Sequence, residues 1–193
     1  KQFEVIGGRR IVDWAVEEAA KHSVGVVVVL PAGQATGPGQ VEGGSTRSES
    51  VRRGLAAVPS DATIVCVHDA ARPFASPVIF QRVISAVVDG ADAAVPGVAV
   101  VDTIKQVNQS EVVVATPRRE TLRAVQTPQA FRASSLRRAH EQGGEGTDDA
   151  ALIERIGGEV VVVEGEIVNR KITSPEDLEW AVAHANRLLA GEI

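Results

Sequence analysis

Six residues carry the most explicit chemistry in this chain: His68-Asp69-Ala70-Ala71-Arg72-Pro73. They follow Thr63-Ile64-Val65-Cys66-Val67, an apolar, β-rich run that reads as a buried strand. In open α/β sheets, ligands bind beyond the carboxyl ends of the strands. An Asp in that place can fix a divalent cation such as magnesium, which takes one or two carboxylates and completes its shell with phosphate oxygens and water. Ala70 and Ala71 let a ligand approach the backbone. The same Asp can equally cap a helix and pair with Arg72. Lys171 lies in a short β-like stretch before the last helix, where an ammonium can meet phosphate or simply face solvent. Gly43-Gly44-Ser45-Thr46-Arg47 leads into a helix, and bare N–H groups at a helix start can hold an anion or a base.

Several chemistries are missing from the sequence. It holds no G-x-x-x-x-G-K-[ST], no G-x-G-x-x-G and no G-x-S-x-G. The four histidines have no metal-ligand spacing, and Cys66 is the single cysteine, read as a small buried hydrophobe. The net charge is −5 with no basic block, so a nucleic-acid partner is not expected. No apolar run approaches a membrane span and no signal peptide is visible, which gives a cytoplasmic expectation.

The elements that must position these residues alternate. Helices are predicted over 11–22, from a Ser45 or Thr46 cap to about 58, from Ser76-Pro77 to about 88, over 133–142, from a Thr147 cap to Gly157 or Gly158, and from Ser174-Pro175-Glu176-Asp177 to about 189. Asp148 and Asp149 read as first-turn acids that favour the helix dipole. Strands are predicted over 24–30, 63–67, 91–96 and 159–163, with a short one beginning at 124–126, and 31–44 reads as loop. Aromatics are only 3% of a chain that is 44% hydrophobic, so Val, Ala, Leu and Ile must fill the core. The expected class is α/β: a doubly wound, mostly parallel sheet. Val100–Val107 and Val112–Thr116, joined by Asn108-Gln109-Ser110, break the alternation and read as a projecting β-hairpin.

Taken in order, these pieces resemble the 2-C-methyl-D-erythritol 4-phosphate cytidylyltransferases of the non-mevalonate isoprenoid pathway. The resemblance rests on Gly43-Gly44 with Arg47 and Ser50-Val51, on Asp69-Ala70-Ala71-Arg72-Pro73, on Thr127-Pro128-Gln129 with Phe131, and on Asn169-Arg170-Lys171-Ile172-Thr173-Ser174-Pro175-Glu176-Asp177-Leu178. Lys1-Gln2-Phe3 is similar to the tail of the family's Gly-rich N-terminal signature. The resemblance thus implies one Rossmann-like nucleotidyltransferase domain over 1–193, with its first strand and Gly-rich loop lying before Lys1.

It also implies transfer of CMP from CTP to methylerythritol 4-phosphate with release of pyrophosphate. In that scheme Lys1, Lys171 and Asp69 are catalytic, and Asp69 holds Mg²⁺. Gly43, Gly44, Ser50, Asp69 and Ala70 bind CTP. Arg72, Thr103, Arg119 (or its neighbour Arg118) and Thr127 bind the acceptor. The arm, about 100–123, makes a homodimer. Ser45 departs from the pattern, because an acidic residue is frequent there, and weaker ribose contacts are expected. Two alternatives stand beside this reading: cytidylyl transfer to another polyol phosphate such as ribitol 5-phosphate, whose enzymes often carry Val at the position of Ala71, and a non-catalytic nucleotide-binding module.

Overall fold

The computed structural model describes residues 2–193. In chain order its elements are β1 (Val5–Ile6), β2 (Arg9–Arg10), α1 (Ile11–Ala20), β3 (Val28–Leu30), β4 (Gln40–Glu42), α2 (Arg47–Ala56), β5 (Ile64–Val67), α3 (Pro77–Val88), β6 (Ala93–Ala99), β7 (Gln106–Val107), β8 (Val113–Ala115), β9 (Arg123–Val125), β10 (Gln129–Arg132), α4 (Ala133–Glu141), α5 (Ala150–Arg155), β11 (Val160–Glu164) and α6 (Pro175–Leu189). A 3-10 turn at Arg119–Thr121 precedes β9.

The central sheet runs β11-β6-β10-β5, and β9 pairs β6 beyond β10. β11 is parallel to β6, while β10 is antiparallel to both of its neighbours. Strands β5, β6 and β11 therefore share one direction, as the alternation of strands and helices requires, but β10 between β5 and β6 is reversed. The reversal has a simple cause. No crossover helix separates β6 from β10; the chain turns out through the hairpin and comes back along β6 as β9. Gln126 continues that return by donating its N–H to Pro96 O at 2.7 Å.

Side chains alternate across the sheet. Ala93 and Val95 of β6 and Phe131 of β10 face Leu55, Leu136, Ala139, Leu152 and Ile153, which come from α2, α4 and α5. Ala94 and Ala130 face the other way, onto Val83 and Val87 of α3, with Cys66 against them. Helices thus cover both faces, and the fold is doubly wound. A third cluster joins Ile6, Ile11 and Phe74 to Ile172 and to Ala181 and Ala185 of α6.

Several expectations change at the element ends. The first predicted strand begins at 28, not 24, and Val24 is fully exposed. Part of the predicted 31–44 loop is β4, parallel to β3. The fifth helix starts at Ala150, and Thr147 does not cap it; Asp148 Oδ1 accepts the Ala151 N–H at 3.0 Å instead. The hairpin is shorter than its apolar runs suggest, because β8 spans only 113–115 and a register shift interrupts its pairing with β7. Val101, Val112, Val113 and Val114 on it are all more than half exposed. Other expectations hold. Thr46 accepts the Glu49 N–H, Ser76 precedes a helix with Pro at its first position, and Ser174 and Asp177 form a reciprocal capping box.

Candidate active site

The register of β10 against β5 builds the site. Gln129 pairs with Val67, the last residue of β5. Because the strands run oppositely, residues just after β5 meet residues just before β10. So the Asp69 N–H donates to Thr127 Oγ1 at 2.9 Å, and Thr127 Oγ1 lies 3.0 Å from His68 Nδ1. The segment after β11 closes from the other side. The Ile172 N–H donates to Ala71 O at 2.8 Å, and Arg72 Nη1 donates to Asn169 O at 2.7 Å. Asn169 is fully buried, and its amide nitrogen donates to Thr127 O at 2.9 Å. Residues 68–72, 126–127 and 169–172 are therefore one hydrogen-bonded unit.

Lys171 is not a lone edge lysine. Its Nζ lies 2.7 Å from Asp69 Oδ2. Burial pushes the Asp69 carboxyl up, but the hydrogen bond and charge of Lys171, with Arg47 and Arg72 behind it, outweigh burial and hold it below the usual carboxylate range. Arg72 is lowered by burial against the raising effect of Asp69, and its buried Nε has no partner among the described residues. Asp69 thus sits among three cations, a field suited to a polyanion.

The fit to a magnesium ion is limited but real. No cluster of three or more His, Cys, Asp or Glu side chains able to hold a metal occurs among the described residues, so they form no all-protein cage. Asp69 Oδ2 is engaged by Lys171, while Oδ1 has no hydrogen bond among those residues. One free carboxylate oxygen suits an ion that arrives on phosphate oxygens.

The Gly43-Gly44 loop is held by its own helix. The Gly44 N–H donates to Ser50 Oγ at 3.0 Å, and that hydroxyl donates to Thr46 O at 2.9 Å. Arg53 Nη1 donates to Gly43 O at 2.8 Å. A Cβ on Gly44 would lie 2.2 Å from Glu49 Cγ, so the close approach requires glycine. At Ser45, where an acid is absent, Glu49 takes both the N–H and the hydroxyl at 2.7 Å, and its carboxyl is lowered to about 2.

Arg47 reaches toward Asp69 from the start of α2 and is anchored from behind by Asp149, which has no exposure. The two approach to 2.8 Å, out of line for a hydrogen bond, so the contact is Coulombic. His140 Nε2 meets the other Asp149 oxygen at 3.0 Å. Asp149 is therefore not simply a first-turn acid serving the helix dipole; it is a buried anchor. Its role is invisible in the sequence because Arg47 lies about a hundred residues away. Gln129, also buried, donates from Nε2 to Asp148 at 3.0 Å.

Not every expected residue joins this unit. Lys1 lies outside the described residues. Ser50 acts on Gly44, and Ala70 sits in the turn after Asp69. Thr103 and Arg119 belong to the arm region, and no described hydrogen bond or ion pair links them to Asp69 or Lys171. Arg119 Nη1 donates to Val101 O at 2.7 Å and helps to line an open cleft of about 510 Å³ with Val100 and Arg123. Arg118 does not line that cleft.

A doubly wound sheet with a carboxylate, cations and a Gly-rich loop gathered at its strand ends defines a nucleotidyltransferase-like α/β protein. The chain belongs to the 2-C-methyl-D-erythritol 4-phosphate cytidylyltransferase (IspD) family, whose model matches residues 1–187. It is 45% identical over 196 residues to a bifunctional enzyme IspD/IspF of Nitrobacter winogradskyi, a match covering 92% of this chain and 49% of that protein. It is 41% identical over 202 residues to the 2-C-methyl-D-erythritol 4-phosphate cytidylyltransferase of Nocardia farcinica, covering 98% and 87%. The chain thus spans about half the length of the first relative and most of the second. The crystal structure of the 2-C-methyl-D-erythritol 4-phosphate cytidylyltransferase from Thermus thermophilus superimposes with a TM-score of 0.85 at 39% identity, covering 96% of this chain and 93% of that one. No helix among the described residues is long and apolar enough to cross a membrane.

Proposed function

We propose that this chain transfers CMP from CTP to 2-C-methyl-D-erythritol 4-phosphate, releasing pyrophosphate. The observation that carries the reading is the Asp69–Lys171 pair at 2.7 Å, set at the strand ends with Arg47 and Arg72 acting on the same carboxylate. The family and its relatives supply the substrate identity.

The chemistry suits what these residues offer. A phosphate oxygen of the acceptor attacks the α-phosphorus of CTP, and the bond from that phosphorus to the β-phosphate oxygen breaks. The nucleophile is already ionised near neutral pH, since the second phosphate pKa is about 6, so no general base is required. Catalysis then consists of alignment and charge stabilisation. Lys171 neutralises charge that develops at the α-phosphate, with Lys1 assigned the same task from the N-terminal segment. Gly43, Gly44, Ser50 and the Ala70 backbone hold the nucleoside. Arg72, Thr103 and Arg119 hold the acceptor phosphate, and Thr127 acts beside them by accepting the Asp69 N–H. Mg²⁺ on Asp69 would supply positive charge to the triphosphate.

Val101, itself exposed, lines the Arg119 cleft, and Val112–Val114 are exposed on the hairpin. A second copy covering the hairpin would bury Val112–Val114 and bring Thr103 and Arg119 to a site, which supports reading the working form as a homodimer. Analytical ultracentrifugation should show a dimer that Val113→Glu dissociates. The activity is tested by pyrophosphate release from CTP by the intact protein with each of two acceptors. Turnover with methylerythritol phosphate above that with ribitol 5-phosphate is expected; the reverse order overturns the assignment.

A further inference from the structure

His68 precedes Asp69, the carboxylate proposed to hold Mg²⁺, and takes no part in the transfer step itself. Its two ring nitrogens have distinct partners. Nε2 lies 3.1 Å from Arg72 O, and Nδ1 lies 3.0 Å from Thr127 Oγ1. A carbonyl oxygen only accepts, so Nε2 must carry a proton. A neutral imidazole protonated on Nε2 has a bare Nδ1 that only accepts, so the Thr127 hydroxyl donates to it while its oxygen accepts the Asp69 N–H at 2.9 Å. The chain of donors is then fully directed: Asp69 N–H to Thr127, Thr127 O–H to His68 Nδ1, His68 Nε2–H to Arg72 O. The Arg72 N–H donates back to Asp69 O at 2.9 Å and closes the loop. Phe80 packs edge-on against the imidazole, with ring centroids 5.6 Å apart, and fixes its plane.

We propose that His68 is a positioning residue: as a neutral imidazole protonated on Nε2, it locks the Asp69–Arg72 turn and commits the Thr127 hydroxyl proton inward. Two consequences follow. Asp69 and Arg72, which bear on the triphosphate and the acceptor, are held at a fixed separation by one ring. Thr127 cannot donate its hydroxyl proton to a phosphate while the relay stands, so its effect on the reaction passes through the placement of Asp69.

This inference rests on the proposed transfer reaction for its kinetic readout, but not for its structural one. In the intact protein, His68→Leu and Thr127→Val each break the relay, and each should lower kcat by about 10- to 100-fold, as for a modest misplacement of reacting groups, with a smaller change in KM for CTP. The double variant should be no slower than the worse single, because both remove one unit. Thr127→Ser keeps the hydroxyl and should recover most of the rate. Additive losses in the double variant, or no recovery in Thr127→Ser, overturn the proposal. Independently, ¹⁵N NMR of the ligand-free wild-type protein should show His68 Nδ1 unprotonated and Nε2 protonated. A protonated Nδ1 overturns the relay whatever the activity. The expected tautomer in a protein that fails to turn over CTP supports the relay and removes only the reaction assigned above.

Discussion

Lys171→Met separates a catalytic lysine from a structural one. The substitution keeps length and bulk but removes the charge 2.7 Å from Asp69 Oδ2. Lys171 is 45% exposed and Asp69 22% at the side chain, so the pair is neither a free surface contact nor a dry one. Breaking a fully buried pair costs about 3–5 kcal/mol, while exposed pairs contribute at most about 1. With half of the lysine in solvent, and with Arg47 and Arg72 still acting on Asp69, a loss of about 1–2 kcal/mol is expected. For a chain of this size that lowers Tm by about 2–8 °C, readily followed by calorimetry. The kinetic effect should be much larger, about 10²- to 10³-fold in kcat, as for removal of one preorganised charge contact. Metal affinity should move oppositely. A divalent cation on Asp69 would compete with Lys171 for one carboxylate, so the variant should bind Mn²⁺ more tightly than the wild type in a titration without nucleotide. A variant with near-normal kcat and the predicted fall in Tm would refute the catalytic role and leave Lys171 a structural partner of Asp69.

Three other perturbations test separate parts of the site. Gly44→Ala places a Cβ against Glu49 and must displace the carboxylate from Ser45; CTP affinity should fall at least tenfold by calorimetric titration while Tm changes little. Asp149→Ala removes the buried partner of Arg47 and His140, and should cost about 3–5 kcal/mol in chemical denaturation; a loss below about 1 kcal/mol would mean that the cluster is not an anchor. The depressed His68 pKa makes stability pH-dependent: between about 6.5 and about 4 the unfolded chain takes up a proton that the folded one refuses, so stability present above that window is lost as pH falls through it. The loss amounts to roughly 3 kcal/mol. His68→Asn should flatten this part of the Tm–pH curve measured in metal-free buffer, and an unchanged slope would assign the acid sensitivity elsewhere.

What could be read from the sequence differs from element to element for physical reasons. The caps at Thr46, Ser76 and Ser174 are local, set by residues within a few positions, and they stand as expected. The direction of β10 is not local. Gln129-Ala130-Phe131-Arg132 is a short run whose partners are β5 and β6, and no spacing within it states which way it runs. The valines of the hairpin mislead in a related way: apolar β-branched residues suggest long strands, yet they have no second layer within the chain, and pairing survives only over a few residues. At the site, the sequence shows Asp69 and Lys171 as types and positions, but not as a pair. Asp149 reads as a helix-start acid because its true partners, Arg47 and His140, belong to two other helices.

The reversed strand links these observations. With a parallel strand between β5 and β6, the residues entering it would lie at the opposite end of the sheet from Asp69, and nothing could tie the Asp69 N–H there. Because β10 runs backwards, its entry point, Thr127, lands at the carboxyl end of β5. The segment after parallel β11 reaches the same end and brings Asn169 and Lys171 with it. Asn169 then ties Thr127 O to the carbonyl that Arg72 grips. Two stretches distant in sequence thereby fix one four-residue turn on both sides. That arrangement explains how Asp69, a carboxylate partly removed from water, stays ionised and in place. The Asp69 and Arg72 backbone groups and the Ala71 carbonyl have protein partners, and the Asp69 charge is balanced by side chains held from separate elements. A site built this way is expected to tolerate surface change and to fail when any one tie to the turn is cut.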